Sequence, residues 1–403
     1  MALIVQKYGG SSVADIEKIK YVAKKIVETK RKGNKVVVVV SAMGKTTDNL
    51  ISLAKQIMPN PPEKELDLLL STGEIVSVAL LCMAIELYGE QAEGFPGYLA
   101  GIKTDAFYTK ARIQKIEPSK ILEEIEKDKI VVVAGFQGIS PENSITTLGR
   151  GGSDLTAIAL AGAIKADKCE IYTDVEGVFT ADPNKVPNAK LISIISYDEL
   201  LEMASSGAKV MQSRAVEFAK KYKIPFIVKS TFKETGGTMV KEIEFKEGAV
   251  VSSVAIDENQ AKITIFNVPD KPGMAGKIFS ALGEAGINVD VIVQNVGKEN
   301  FADISFTVNI NEMEKAKNIV EKVAKEIGAE RVVADPDICK VSIIGIGMMN
   351  HPGVAGKMFT CLAKCGINIE MISTSEIKIS CVIRKKDGQK ALLELHKEFI
   401  EKS

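Results

Sequence analysis

The chain has 403 residues, enough for two or three domains with separate hydrophobic cores. It contains 52 basic and 52 acidic residues, and this balance argues against a general electrostatic attraction to nucleic acid or to an anionic membrane. The longest apolar run, residues 75–85, is shorter than a bilayer requires and is predicted to be a buried helix. No secretory signal is visible, so we expect a cytoplasmic protein with neither a membrane nor a nucleic acid as its partner.

Cysteine and histidine are poorly placed for metal binding or for acid–base catalysis. The six cysteines form no CxxC pair, and the chain has only two histidines. We therefore expect reduced, mostly packing thiols and no metal site made by the protein. His351 and His396 both lie late in the chain, so the first half contains no histidine that could act as a general base.

From Met1 to about Phe245, apolar β-branched runs alternate with helical segments. Residues 36–40 and 130–134 are continuous runs of the kind found in strands covered on both faces. This alternation predicts an α/β domain with a mainly parallel central sheet, and further strands are predicted at residues 3–5, 171–173 and 225–228. The polar, glycine-containing segment 232–248 marks the end of this region.

The chain then repeats itself. Residues 271–290 and 351–370 share a Pro-Gly turn, an apolar helix pattern and a Gly-Ile-Asn triplet, with a constant offset of 80 residues. Each copy reads as a strand, a turn, a helix and a second strand, which predicts two small α+β modules. Two modules that only pack together, without binding a ligand, are the alternative.

The segment KYGGSS follows the first strand. Ser12 to Asp15 resembles a helix N-terminal box, so a helix is predicted to begin there. Gly9 and Gly10 would let a ligand approach the backbone, and Lys7 adds a positive charge, which together favour an anion. A tight turn with a solvated lysine would also explain the pattern.

Two further polar segments occupy predicted strand ends or helix starts. SAMGKTTD at residues 41–48 lacks the first glycine of a Walker P-loop, because position 39 is valine, and remains a Ser/Thr-rich loop. LLLSTGE at residues 68–74 is interpreted as a polar turn that ends at Glu74, where the apolar helix begins. Glu74 would then either stabilise the helix start or bind an ammonium group.

The segment GRGGSD at residues 149–154 is the strongest single motif. Glycines before a helix can hold a phosphate, and the Arg150 guanidinium suits a carboxylate or a phosphate. Ser153 and Asp154 are interpreted as the helix cap, and a glycine-rich cap alone is the alternative. Farther on, Asp174 and Asp182 could bind ribose hydroxyls or hydrated magnesium, although turn formation explains them nearly as well.

These loops offer positive charge, backbone amides and carboxylates, but neither a catalytic histidine nor a plausible cysteine nucleophile. Phosphoryl transfer suits such a site, because positioning and charge stabilisation dominate its catalysis. A carboxylate is the acceptor that fits best, since its pKa of about 4 leaves it ionised at neutral pH without a base.

The five motifs KYGGSS, SAMGKTTD, LLLSTGE, GRGGSD and YTDVEGVFTADP, in this order and followed by two repeats, resemble the aspartate kinases of the amino acid kinase family. The repeats resemble ACT domains, which bind amino acids. The resemblance covers essentially the whole chain and implies an amino acid kinase α/β sandwich followed by two ferredoxin-like ACT modules. The implied boundaries are 1–245 for the kinase domain, 250–335 for the first ACT domain and 336–403 for the second.

The resemblance implies ATP-dependent, magnesium-dependent phosphorylation of L-aspartate to 4-phospho-L-aspartate, the first step towards lysine, threonine and methionine. Lys7 would stabilise the moving phosphoryl group, and Asp154 would be the catalytic carboxylate that orders the lysines. The implied ATP-binding residues are Lys7, Tyr8, Gly9, Gly10, Thr173, Asp174, Phe179, Asp182, Lys209 and Val210. The implied aspartate-binding residues are Ser41, Thr47, Glu74 for the ammonium, Arg150 for the α-carboxylate, Gly151, Gly152 and Ser153.

The sequence departs from the usual pattern of the family at two places. Phe179 and Asn184 replace a tyrosine and an arginine, so one hydroxyl and one charge near the nucleotide are missing, and the sequence leaves their effect on ATP affinity open. Met211-Gln212-Ser213 stands where Leu-His-Pro is frequent.

The family resemblance also implies feedback by lysine, threonine or both, and a homodimer or larger assembly through the ACT domains. In the first copy the implied effector residues are Asp270, Lys271, Pro272, Gly273, Met274, Ala275, Asn288, Val289, Asp290 and Gln294. The second copy supplies Val354, Ala355, Asn368 and Ile369. Asn350 and His351 replace Asp270 and Lys271 there, so the two sites are not expected to be equivalent.

Three other functions remain open from the sequence. A related kinase could act on glutamate, acetylglutamate or another small acid. A non-catalytic amino acid sensor could have kept the fold, although it would have no need of Lys7, Arg150 and Asp154 together. Regulation of nucleic acid through the basic helix at residues 15–35 is the weakest, because that charge run reads better as a solvated face.

Overall fold

The computed structural model describes residues 1–149, 151–208, 211–234, 236–243, 250–296 and 300–402. The chain forms two compact units. Unit 1 comprises Met1–Val178, Leu191–Ala204 and Lys209–Glu244, and unit 2 comprises Phe179–Lys190, Ser205–Ala208 and Phe245–Ser403. Two short segments of the predicted kinase region therefore belong to unit 2, and the boundaries 1–245, 250–335 and 336–403 stay a prediction.

Unit 1 contains an eight-stranded sheet and a smaller four-stranded sheet. Its strands are β1 (Leu3–Tyr8), β2 (Lys35–Val40), β3 (Ala92–Phe95), β4 (Ile102–Thr104), β5 (Ile113–Ile116), β6 (Ile130–Ala134), β7 (Gln137–Ile139), β8 (Ile145–Thr147), β9 (Lys168–Thr173), β10 (Ile194–Ile195), β11 (Phe226–Ser230) and β12 (Thr238–Val240). Its helices are α1 (Ile16–Arg31), α2 (Thr46–Ile57), α3 (Glu63–Leu87), α4 (Ser119–Glu126), α5 (Gly152–Ala163), α6 (Tyr197–Ser205) and α7 (Ser213–Tyr222).

The large sheet has the strand order β10-β12-β11-β9-β1-β2-β6-β3, and every neighbouring pair except β11 with β12 is parallel. Val36, Val38 and Val40 pack with α1 and α3 on one face. Val37 and Val39 point to the other face because side chains alternate along a strand, and both are fully buried. The predicted mainly parallel sheet, covered on both faces, is confirmed.

Helix α1 begins later than the sequence suggests. Its N-cap is Asp15, whose side chain accepts a hydrogen bond from the Lys18 amide. Ser12 instead lies in a short 3-10 turn, Gly10–Val13, and its hydroxyl bonds the Thr231 hydroxyl at 2.6 Å. The predicted role of Ser12 as the first residue of a capping box was wrong, because a tertiary contact takes up its hydroxyl.

Helix α3 is long and apolar enough to cross a membrane by length and composition alone. It packs against α1, α2 and strands of the large sheet, and half of its most apolar stretch is buried. Its buried polar residues lie on the same side as these contacts: Asp67, Ser71, Glu74 and Ser77. The segment 75–85 is thus a core helix segment, as predicted.

LLLSTGE is not the polar turn that the sequence suggested, because α3 runs through it without a break from Glu63. The hydroxyls of Ser71 and Thr72 donate to the carbonyls of Leu68 and Leu69 within the helix. Gly73 faces Ala42, where an added Cβ would lie 2.8 Å from the Ala42 Cβ. The polar residues and the glycine therefore serve a close helix–loop contact rather than a turn.

Unit 2 contains two four-stranded antiparallel sheets, each with two helices. The first module has the sheet order β15-β16-β14-β17 and packs on α8 and α9. The second has the order β13-β18-β20-β19 and packs on α10 and α11. The strands are β13 (Ser253–Asp257), β14 (Gln260–Pro269), β15 (Val289–Val296), β16 (Phe301–Asn309), β17 (Arg331–Asp335), β18 (Ile338–Ile344), β19 (Met371–Thr374) and β20 (Lys378–Arg384), and the helices are α8 (Met274–Glu284), α9 (Met313–Ile327), α10 (Val354–Lys364) and α11 (Gly388–His396).

The two modules are interleaved in sequence, because β13 precedes the first module but pairs with β18 of the second. The segment Phe179–Lys190 also joins the second module. Ala181 and Val186 lie in its apolar core, and the Thr180 hydroxyl bonds the buried His396 ring at 2.9 Å. The predicted pair of α+β modules is confirmed, with these two additions.

Candidate functional site

The loops that follow the central parallel strands of unit 1 lie side by side. The Gly9 amide donates to the Tyr172 carbonyl at 3.3 Å, and the Ser41 amide donates to the Tyr8 carbonyl at 3.1 Å. The Gly135 amide donates to the Val40 carbonyl at 2.9 Å. The carboxyl ends of β1, β2, β6 and β9 therefore form one edge, the place where open α/β sheets bind ligands.

Lys7 and Asp154 form an ion pair at this edge. The Lys7 Nζ atom lies 2.6 Å from the Asp154 Oδ1 atom, and both residues are less than a tenth exposed, at 8% and 9%. Asp154 is in the first turn of α5, whose amino end adds positive partial charge. The Lys7 ammonium and the amino end of α5 thus both place positive charge at this edge, which suits an anion such as a phosphoryl group.

The predicted cap of α5 was wrong. The N-cap is Gly151 in a left-handed conformation with φ of 71°, and α5 begins at Gly152. Asp154 therefore does not cap the helix and its carboxylate is directed to Lys7 instead. The capping interpretation failed because the partner of Asp154 lies on a distant strand.

Gly9 and Gly10 lie where other parts of the chain come close, and the predicted approach of a ligand to their backbone stays a prediction. A Cβ atom on Gly9 would lie 3.3 Å from the Lys7 ammonium, and one on Gly10 would lie 2.8 Å from the Ala42 carbonyl oxygen. Any side chain at these positions would press on the Lys7 ammonium or separate the two loops.

Glu74 is a buried carboxylate that is only half satisfied. Its Oε1 atom accepts a hydrogen bond from the Ala42 amide at 3.1 Å, and among the described residues its Oε2 atom has no hydrogen-bond partner. The residue is 3% exposed, and this burial raises the pKa of Glu74 to about 7, although the Ala42 hydrogen bond opposes the shift. A cationic ligand would complete this site and favour the ionised form.

The other predicted aspartate-binding residues flank the same loops. Ser41 directly follows β2 and Thr47 is in the first turn of α2, and both are half-buried. Gly152 and Ser153 begin α5, where Ser153 packs against Gly135. Arg150 lies outside the described residues, so its role stays a prediction.

The predicted nucleotide residues fall into two groups. Thr173 ends β9 and Asp174 follows it in unit 1, whereas Phe179 and Asp182 belong to unit 2. The Asp182 carboxylate accepts hydrogen bonds from the amide and the side chain of Asn184, so it closes its own turn. Lys209 and Val210 lie outside the described residues.

Tyr8 cannot offer its side chain to a nucleotide. It is fully buried, and its ring stacks on Tyr172 with 4.8 Å between the ring centroids. Any contact of Tyr8 with ATP is therefore limited to its backbone, and the predicted place of Tyr8 in the ATP site stays a prediction.

Glu170 is the centre of a buried polar network that the sequence did not indicate. Its carboxylate accepts from the Lys229 ammonium at 2.9 Å, the Gln6 amide at 3.0 Å and the Tyr172 hydroxyl at 3.0 Å. Burial alone would raise the pKa of Glu170, but the hydrogen bond and charge of Lys229 outweigh it and the pKa is lowered. These residues connect β1, β9 and β11 beneath the site.

The side chains that could bind magnesium near this site are carboxylates. In the parts of the chain that the structure describes, no group of three or more His, Cys, Asp or Glu side chains could hold a metal ion. An ion that arrives with the phosphates of ATP needs only one or two carboxylates, and Asp174, exposed at the end of β9, fits that requirement.

The model of the amino acid kinase family matches residues 2–230, and two ACT domain models match residues 262–325 and 341–399. An aspartate kinase from Pseudomonas putida is 51% identical over 401 residues, which are 99% of this chain and 98% of that protein. The chain belongs to the aspartate kinase family.

Solved structures of aspartate kinases are similar to this chain. The aspartate kinase from Synechocystis is 43% identical with a TM-score of 0.56, over 99% of this chain and 69% of that one. E. coli aspartokinase III, solved with aspartate and ADP, gives a TM-score of 0.81 at 24% identity, over 98% and 99% of the two chains. The second likeness supports the fold alone, and the fold predicted from the sequence is confirmed.

The ACT part of the chain carries the predicted effector residues at two places in each module. In the first, the Pro-Gly turn at residues 270–273 precedes α8, and Asn288 to Asp290 lie after it, with Gln294 within β15. Helix α8 has 11 residues and is about 16 Å long. Asn288 to Asp290 therefore lie at the opposite end of the helix from the turn, whereas Gln294, level with Ile265 in the sheet, lies nearer to the turn.

One predicted effector residue is already engaged. Asp290 forms an ion pair with Lys340, which is 1% exposed. The second module places Val354 and Ala355 in the first turn of α10, and Asn368 and Ile369 before β19. Asp290 is thus part of the contact between the modules, and an effector ammonium would have to share it or displace Lys340.

Sequence reasoning missed the residues that hold the glycine-rich loop: Asp67, Gln212 and Arg214. A signal for one of them was present, because Asp67 precedes Glu74 by two helical turns and therefore lies on the same helix face. Arg214 had no such signal, because its contacts are to backbone carbonyls distant in sequence.

Proposed function

We propose that the chain transfers the γ-phosphoryl group of ATP to the β-carboxylate of L-aspartate, giving ADP and 4-phospho-L-aspartate. The observation that carries this is the buried pair of Lys7 and Asp154 at the amino end of α5. Glu74, with its unpartnered oxygen, lies against the neighbouring loop through Ala42.

The chemistry requires little beyond positioning and charge. The acceptor carboxylate, with a pKa of about 4, is ionised at neutral pH and needs no general base. Lys7 places a cation where negative charge is redistributed over the transferring group, and Asp154 holds that cation in place. This agrees with a catalytic region whose sequence contains no histidine.

Substrate orientation follows from the two charged ends of aspartate. The half-satisfied Glu74 carboxylate would accept the ammonium, and Arg150 would hold the α-carboxylate. With both ends of the amino acid group bound, the β-carboxylate is the group left to face ATP. Ser41, Thr47 and Gly151 to Ser153 would complete this pocket.

ATP would bind as its magnesium complex. Lys7, Gly9 and Gly10 would contact the phosphates, and Thr173, Asp174, Phe179, Asp182 and Lys209 the rest of the nucleotide, with Val210 beside it. Magnesium supplies charge neutralisation when bound, and Asp174 is the carboxylate available to it.

We infer that lysine, threonine or both regulate the reaction through the ACT modules. E. coli aspartokinase III has been solved with lysine and aspartate, and the same type of effector is proposed for this chain. A homodimer or larger assembly through the ACT domains is proposed with it, as the family resemblance implies. The enzyme would act in the cytoplasm, at the entry to lysine, threonine and methionine synthesis.

The deciding experiment mixes purified protein with ATP, magnesium and L-aspartate and traps the acyl phosphate with hydroxylamine. We expect an aspartyl hydroxamate, suppressed by lysine or threonine and lost in Lys7→Ala and Asp154→Ala, with the exposed Lys24→Ala as an unchanged control. Hydroxamate only with glutamate or another acid would favour a related carboxylate kinase. No product and no ATP binding would favour an amino acid sensor.

A further inference from the structure

The loop of residues 148–151, between β8 and α5, contains Arg150, to which the proposed function assigns the α-carboxylate of aspartate. Gly149 and Gly151 have φ of 78° and 71°, so both are in the left-handed region. Glycine imposes little conformational preference of its own, so such a loop must be held by its surroundings.

Asp67 accepts hydrogen bonds from backbone amides next to this loop. It is fully buried on α3, and its carboxylate accepts from the Thr147 amide at 2.8 Å and the Thr147 hydroxyl at 2.5 Å. It also accepts from the Thr109 amide at 2.9 Å. Burial of a carboxylate is costly unless donors surround it, and here the donors are backbone and hydroxyl groups beside the loop.

Arg214 donates hydrogen bonds to backbone carbonyls in and near the loop. From the first turn of α7, its guanidinium donates to the Leu148 carbonyl at 2.7 Å and to the Ala111 carbonyl at 2.5 Å. The Ala111 amide donates in turn to the Thr147 carbonyl at 2.9 Å. Three separate segments thus converge on the two residues that precede Gly149.

Packing alone does not fix the loop. A cavity of about 660 Å³ borders Leu148, Gly149 and Arg214, so one side of the loop faces open space. On another side Gln212 lies so close that a Cβ atom on Gly151 would be 1.6 Å from its Cγ. The backbone supplies two bonds here, because the Leu148 amide donates to the Phe136 carbonyl at 2.8 Å and the Gly152 amide to the Gly149 carbonyl at 2.9 Å. Asp67 and Arg214 add the side-chain hydrogen bonds at the cavity edge.

We propose that Asp67 and Arg214 are positioning residues that set the affinity for the amino acid substrate by fixing the loop that carries Arg150. The proposal rests on the proposed function for the identity of that substrate. Neither side chain needs to touch aspartate or ATP, so the steps that depend on Lys7 stay intact when either is changed.

The test is steady-state kinetics of Arg214→Met, Arg214→Lys and Asp67→Asn, with Arg112→Met as the matched control. Arg112 lines the same cavity and carries the same charge, but its side chain is exposed and has no described bond to the loop. We expect the KM for aspartate to rise about tenfold or more in Arg214→Met and Asp67→Asn. The KM for ATP should stay within about twofold, Arg214→Lys should recover part of the loss, and Arg112→Met should resemble the wild type.

Other results would overturn the proposal. An equal rise of both KM values, a fall in kcat alone, or an Arg112→Met variant that loses as much as Arg214→Met would show a general structural or electrostatic effect. If Arg214→Met does not fold, as judged by its thermal transition, Arg214→Lys and Asp67→Asn carry the same comparison. Failure of the proposed function is separate, because the wild type itself would then make no aspartyl hydroxamate.

Discussion

Glu74 is the residue whose chemistry depends most on its surroundings. A glutamate after Ser-Thr-Gly reads as a helix start, yet α3 buries it in the middle of a helix with one oxygen unpartnered among the described residues. Burial raises its pKa to about 7, so it changes charge within the physiological range. Lys7 and Asp154, by contrast, are candidate site residues that the motifs already contain, and the structure shows that the two pair.

Glu74 predicts a pH dependence of aspartate binding. Below a pKa of about 7 the side chain is neutral and cannot pair with an ammonium group, and above it the carboxylate is available. We expect kcat/KM for aspartate to rise about tenfold between pH 6 and 8, as for a single ionisation with this pKa. Glu74→Gln should raise the KM at pH 8 about tenfold or more and flatten the profile.

Initial rates from pH 6 to 9 would check this, with Glu86→Gln as the control because Glu86 is exposed on the same helix. A Glu74→Gln enzyme with an unchanged pH profile would assign the ionisation to another group.

At the scale of elements, α3 and the loop after β2 illustrate a glycine kept for contact rather than for a turn. Gly73 lies in a helix interior, where alanine would normally be favoured by about 1 kcal/mol. A Cβ on Gly73 would lie only 2.8 Å from the Ala42 Cβ, and this contact explains why position 73 is glycine and not alanine. The sequence predicted the loop after β2 but began the helix only at Glu74, because the approach of Gly73 to the loop depends on how the two elements pack.

Gly73→Ala should therefore destabilise unit 1 by about 1–3 kcal/mol, because the helix and the loop must separate. The matched control is Gly276→Ala in α8, where an added Cβ meets nothing within 4 Å and helix propensity should stabilise by up to about 1 kcal/mol. Thermal unfolding of the two variants measures both effects. Equal shifts of the same sign would contradict the contact explanation.

At the scale of the whole molecule, the internal repeat forms a reciprocal contact between the ACT modules. Lys262 and Lys340 begin the equivalent segments KITIFNV and KVSIIGI, and Asp290 and Glu370 follow the two Gly-Ile-Asn triplets. Lys340 pairs with Asp290, and Lys262 pairs with Glu370, so each module supplies the lysine for the carboxylate of the other. A small apolar cluster accompanies them: Val291, Ile338, Met371 and Val382.

Lys340→Met should destabilise unit 2 by about 1–3 kcal/mol, because it leaves Asp290 without its buried cation. The estimate is below that for a fully buried pair, since the Asp290 side chain is 35% exposed. Calorimetry would measure the transition of unit 2. Lys402→Met breaks an exposed ion pair with Glu398 and should leave the transition temperature of unit 2 unchanged. An equal shift in both variants would show that burial of the ion pair is irrelevant.

The sequence by itself determined the elements and the class of chemistry. Periodicity is a local property, so the parallel sheet, the two α+β modules and the prediction that the Lys7 loop binds an anion followed from short stretches. Tertiary structure decided which carboxylate meets Lys7, that Glu74 lies inside a helix, that β13 joins the second module, and that Asp67 and Arg214 hold the glycine-rich loop. These facts depend on contacts between residues distant in the chain, and only packing and buried hydrogen bonds select among such contacts.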